Sequence, residues 1–177
     1  MTRRDYLPLI EGQLIDLLSG NWVGLDDACA DSNLRYPGVY LLAFSERQLA
    51  GTKIEVRDVF YVGMSIARNG VKQRLRQFRD GIERNDHHSG AMRFYRDHAN
   101  GLAFSKLKTV NRFYAAARVT QCERVSADDW RDMGHVACLE YYVVAHVVAE
   151  TGEVPRLNLA KERKRLLAGE LAVAAPT

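Results

Sequence analysis

The sequence predicts a mixed α/β (α+β) domain: a small three-stranded antiparallel sheet flanked by helices, with a helical extension at its N-terminus. Three observations lead there. Two short apolar runs, YPGVYLLAFS from Tyr36 and DVFYVGMS from Asp58, each set a tyrosine close to a glycine, as paired strands do. A basic segment beginning at Gly70 carries Val71, Leu75, Phe78 and Ile82 at helical spacing. A long apolar stretch, Gly134 to Glu150, ends at Gly152 with Pro155 beyond, which marks a helix and its stop. A chain of 177 residues, 47% apolar and 27% charged, supports one ordinary core.

Taken in order, residues 1–35 read as an N-terminal helical elaboration. Between Pro8 and Leu18 the apolar positions Leu9, Ile10, Leu14, Leu17 and Leu18 define one helix face, closed by Ser19-Gly20. Tyr36 to Phe44 is the first strand, opened by Pro37, whose missing amide hydrogen suits a strand's start. Residues 45–51 hold a turn or one helical turn, and Thr52 to Val56 is expected to extend the second strand, which ends at Gly63. The helix after Gly70 carries Arg74 next to its apolar stripe. His87, His88 and His98 flank a polar loop and a helix from about Gly90 to Ala99. Leu102 to Lys108 and Arg112 to Val119 read as strands, the latter as the third member of the sheet. Ser126 and Asp129 spell a capping box that opens a short helix. The Gly134 to Glu150 helix, apolar on nearly every side, is expected to be buried, with Glu140 the acid in its middle. Residues 36–160 form the main domain, and residues 161–177 a basic C-terminal helix and tail.

Several function classes recede. No segment approaches the roughly 20 apolar residues that span a bilayer, and Asp5, Pro8 and Glu11 interrupt the N-terminus before any signal-peptide core. A cytoplasmic protein with no membrane partner is the expectation. Cys29, Cys122 and Cys138 have neither disulfide-framework nor zinc-site spacing. The net charge of +3 says little, but Arg68, Lys72, Arg74, Arg76 and Arg79 crowd one segment. That crowd reads either as a solvated helix face or as a nucleic-acid contact. Tyr40 and Tyr61 on neighbouring strands, with Arg74 one turn into the helix, are spaced to converge on one anionic group such as a phosphate. A carboxylate inside an apolar helix needs an arginine, a hydrogen-bond network or a cation, so Glu140 is the second focus.

Gly38-Val39-Tyr40, Tyr61-Val62-Gly63, Arg74-Leu75, Leu139-Glu140 and Pro155-Arg156-Leu157-Asn158 occur in that order. Between Tyr36 and Asn158 the chain thereby resembles the GIY-YIG nuclease family, with valine for isoleucine in both tripeptides. It departs from the family pattern in the long interval between the tripeptides, in Met64 where a basic residue often stands, and in Phe78 where a histidine is more usual. The resemblance implies a divalent-metal-dependent endonuclease acting on DNA, with RNA also open. In that reading Glu140 holds Mg2+ or Mn2+, and Arg74 binds the scissile phosphate. Tyr40 is the first choice to help deprotonate the attacking water, Tyr61 lies hydrogen-bonded beside it, and of His87 or His88, either of which can sit beside the site as a proton acceptor, His87 is the fallback base. Asn158 anchors the end of the glutamate helix or orients the nucleophile, and Arg68, Lys72, Arg76 and Arg79 contact nucleic acid. The alternative is a catalytically inactive nucleic-acid-binding or scaffold module of the same fold.

Overall fold

The computed structural model describes residues 3–84, 88–98 and 112–158. Its centre is a sheet of four antiparallel strands, β1 (Val23–Gly24), β2 (Gly38–Ser45), β3 (Tyr61–Ser65) and β4 (Arg112–Val119), in the order β1-β4-β2-β3. β2 is buried on both faces, which explains its nearly unbroken apolar run. Tyr40 and Leu42 point to one side of the sheet, and Val39, Leu41 and Ala43 to the other.

Each side has its own helical cover. Over Tyr40 and Leu42 lie α2 (Leu25–Ala30), α3 (Gly70–Arg84) and α4 (Ser89–His98), which contribute Leu25, Val71, Leu75, Phe78, Ile82 and Phe94. The α3 stripe is the one its sequence spacing predicts. On the opposite side α1 (Arg3–Leu18) and α5 (Ala127–Thr151) pack through Ile10 and Leu17, and through Val136, Leu139, Val143 and Val147.

The structure departs from the sequence expectations at several points. The sheet has four strands, not three, because Val23 and Gly24 pair with Ala115 and Tyr114 of β4. Two residues are too few to show a period, and Val23 is exposed, so no pattern announces them. Thr52 to Val56 does not extend β3; Lys53 makes an isolated bridge to Asn21, and a single 3-10 turn spans Val56–Asp58. The expected strand from Leu102 to Lys108, His87, and the basic tail 161–177 lie outside the described residues.

The two helices expected after β4 are one. Ser126 Oγ accepts from Asp129 N–H at 3.1 Å while Asp129 Oδ2 accepts from Ser126 N–H at 2.9 Å, and the helix opened by this box runs through Gly134. Gly152, at φ +77°, stops it by donating to the Val148 carbonyl. This helix is not buried all round. Its packed stripe is Val136, Leu139, Val143 and Val147, while Trp130 and Tyr141 are 62% and 56% exposed. Alanine, valine and tyrosine cover every side of the sequence, but only one face meets the sheet. Among the described residues no helix is long and apolar enough to cross a membrane.

Candidate active site

The register of the sheet builds the site. Tyr40 stands opposite Gly63, and Tyr61 opposite Leu42, so both phenols leave the same face of two neighbouring strands. Their ring centroids are 6.0 Å apart. A Cβ on Gly63 would stand 2.6 Å from Cζ and Oη of Tyr40 and 2.8 Å from Cε1 of Tyr61. The glycine is therefore the floor on which the two rings meet. Because β3 is an edge strand, this carries the Tyr40 ring toward the margin of the sheet.

His88 orders the hydroxyls. It precedes α4 and takes the place of an N-cap: its Nδ1 accepts from the backbone N–H of Gly90 at 3.2 Å and of Ala91 at 3.3 Å. A nitrogen that accepts carries no proton, so the neutral ring holds its hydrogen on Nε2. That hydrogen is directed at Tyr40 Oη, 3.4 Å away. Burial first, then the charges of Arg74 and Arg93, bring the His88 pKa down to about 4, so the ring is neutral at physiological pH. Tyr40 in turn acts on Tyr61: the pairing of the two hydroxyls raises Tyr40 and lowers Tyr61, the sense expected when Tyr40 is the donor. With the Tyr40 oxygen receiving from His88, its own hydrogen is the one available for Tyr61, and the chain runs His88 to Tyr40 to Tyr61.

The two phenols differ in setting. Tyr40 is wholly buried, and burial above all holds its hydroxyl well above the ordinary phenol range. Tyr61 is 7% exposed; burial raises it too, but the hydrogen bond from Tyr40 pulls the other way. Phe78, at the position where the family resemblance favours a histidine, stacks on Tyr61 at 6.2 Å and meets His88 edge-on at 5.4 Å. The imidazole thus enters from the N-terminus of α4 and not from α3.

Charge enters from three helices. Arg74, half-buried on α3, donates to Gln77 Oε1 at 2.9 Å, and its charge acts on both phenols and on His88. Glu140, beside the buried Leu139, is half-buried and not enclosed as expected; its negative charge reaches both phenols although α5 packs on the other face of the sheet. On α4, Arg93 acts on Tyr61 and His88. Among the described residues no group of three or more His, Cys, Asp or Glu side chains is arranged to hold a metal ion. A single carboxylate with phenol oxygens nearby is a hard, all-oxygen set. It fits a Mg2+ or Mn2+ ion that keeps most of its waters, and it does not resemble a zinc centre.

Asn158 has one of its two expected roles in altered form. Its Oδ1 accepts from Val62 N–H at 2.9 Å and its Nδ2 donates to Val62 O at 2.7 Å. Leu157 N–H donates to Phe60 O at 3.0 Å just before it. The amide therefore latches the outer edge of β3 between Tyr61 and Gly63, anchoring a strand and not the end of α5.

The predicted nucleic-acid contacts divide. Lys72 Nζ donates to Ala30 O at 2.8 Å and Arg76 Nε to Cys29 O at 3.2 Å, answering carbonyls at the C-terminus of α2. Arg79 lies 3.7 Å from Asp26 and 3.1 Å from Asp80. These three side chains thus brace α2 against α3, whatever else they touch. Arg68, Lys72 and Arg76 also line, with Arg35 and Arg124, a groove of about 630 Å³ that includes Glu123.

One residue escapes the sequence reading, and one is left undecided by it. The sequence does not choose between His87 and His88, and what distinguishes His88 is its place directly before the first turn of α4. Arg93 gave no signal, since an arginine in an amphipathic helix reads as surface. Comparison of the chain with protein-family models, with curated proteins and with solved structures found no match.

Proposed function

We propose that this protein is a divalent-metal-dependent endonuclease of the GIY-YIG type that hydrolyses DNA phosphodiester bonds. The observation that carries the reading is the directed chain from His88 through Tyr40 to Tyr61, with the charges of Arg74 and Glu140 bearing on its end. Such a cluster offers a cation for phosphate oxygens, a carboxylate for a hard metal ion and a phenol to handle a proton.

In this mechanism Arg74 holds the non-bridging oxygens of the scissile phosphate, where its planar fork orients as well as attracts. When bound at Glu140, a magnesium or manganese ion supplies a Lewis acid for the leaving oxygen. The water oxygen forms the new bond to phosphorus, one ester P–O bond breaks, the water's proton goes to the Tyr61 phenolate, and the departing alkoxide takes a proton from solvent. Tyr61 takes this role in place of Tyr40, the first choice from sequence, because Tyr40 is sealed from solvent and its hydrogen is engaged by its neighbour. His88 does not serve as the base: its Nδ1 lone pair is occupied by two amides, so it is a positioning residue.

The test is nicking of supercoiled plasmid by purified protein with magnesium, with EDTA, and after Glu140→Ala. Nicking that needs the metal and disappears in the variant supports the proposal; nicking equal in wild type and variant comes from a contaminant. The cation-lined groove beside α3 favours a second reading, a nucleic-acid-binding module without turnover. It predicts duplex binding with no nicking under any metal.

A further inference from the structure

Arg93 lies on α4. It is half-buried, next to the fully buried Phe94, and its charge acts on Tyr61 and His88. Its Nε is buried and, among the described residues, has no hydrogen-bond partner. Buried donors are nearly always answered, and one left open costs the fold stability. From α3 the charge of Arg74 reaches the same two groups, and Arg74 itself donates to Gln77, a neutral partner. The two groups on which both guanidiniums act, Tyr61 and His88, are uncharged at neutral pH. The negative charge of Glu140 bears on the two phenols as well. An open donor on one cation, with a second cation acting on the same two neutral groups, calls for an anionic ligand.

We propose that Arg93 is a second anion-binding residue of the site, gripping with Arg74 the oxygens of one phosphodiester. The inference rests on the reading of the site as one for nucleic acid, which supplies the owner of that phosphate. Arg93 approaches the phosphate from α4 with its terminal nitrogens, and Arg74 approaches from the neighbouring helix α3.

The test uses the full chain in EDTA, so that binding is read without cleavage, with a short fluorescent DNA duplex and inorganic phosphate as probes. Arg93→Gln is expected to weaken duplex binding roughly tenfold or more and to lower the slope of log affinity against log salt by about one. Arg93→Lys keeps the slope, and the surface control Arg131→Gln, which removes a cation paired with Asp128, changes neither affinity nor slope. Phosphate is expected to raise the melting temperature of the wild type and not of Arg93→Gln. Arg93→Met removes the open donor at similar length, so it is expected to melt no lower than wild type while losing duplex affinity. Unchanged affinity, salt slope and phosphate response in Arg93→Gln overturn the proposal. A melting temperature several degrees lower in Arg93→Met with binding intact does so as well, since the arginine is then structural. Plasmid nicking by the wild type reports separately on the nuclease reading. Nicking without any dependence of binding on Arg93 removes only this inference, and Arg93-dependent binding without nicking removes only the nuclease.

Discussion

The assignment of the His88 proton has a consequence for stability that is measurable without any substrate. His88 is fully buried and its pKa falls from 6.5 to about 4 on folding. A histidine lowered on folding binds more protons when unfolded, so stability is lost as pH falls from 6.5 toward 4. Between about pH 7 and about pH 4.5 this single group should remove about 2 kcal/mol from the folded state. Other groups titrate across the same window, so the effect is read as a difference between two proteins. His88→Asn keeps a side chain able to cap α4 and removes the titration. Urea unfolding at the two pH values should show the wild type losing about 2 kcal/mol more than the variant. Equal losses in both would mean that the ring is charged or solvated in the folded protein, and the directed chain to Tyr40 and Tyr61 would fall with it.

Three further predictions concern the same cluster. Gly63→Ala introduces a methyl group 2.6 Å from the Tyr40 ring and should destabilise the fold by about 1–3 kcal/mol, read from thermal melts, and displace the phenols. Asn158→Ala leaves both polar groups of the buried Val62 peptide unanswered on the strand edge and should cost about 2 kcal/mol in urea unfolding. If Tyr61 handles the proton, the cleavage rate should keep rising with pH above neutrality. Tyr40→Phe, which withdraws the hydrogen bond that lowers Tyr61, should shift that rise to higher pH. A rate that levels near neutrality in both proteins would count against a phenol.

Strand β2 and helix α3 are legible in the sequence because burial on two faces writes an unbroken apolar run and burial on one face writes a 3.6-residue stripe. That Tyr40 and Tyr61 share one face follows once those strands pair in the register that sets Tyr40 against Gly63, and the charges of Arg74 and Glu140 reach them from α3 and α5. Strand β1 is not legible, since two residues carry no period. The open face of α5 is hidden by Ala, Val and Tyr residues that look equally apolar on every side, and this is also why Glu140 reads as more enclosed than it is. The choice of His88 over its neighbour is decided by two amides of α4, and the order of the phenols by the tautomer those amides impose. Neither can be seen in a linear string. Arg93 is invisible for a simpler reason: a cation on a helix looks the same whether or not its donors are answered.

The central claim, that the phenol chain serves phosphodiester hydrolysis, is tested most directly by cleavage of supercoiled plasmid with magnesium by wild type, Tyr61→Phe and Glu140→Ala, each checked for folding. The account predicts nicking by the wild type and a loss of about a hundredfold or more in Tyr61→Phe, with none left in Glu140→Ala. Wild-type nicking that survives unchanged in folded Tyr61→Phe protein would contradict it.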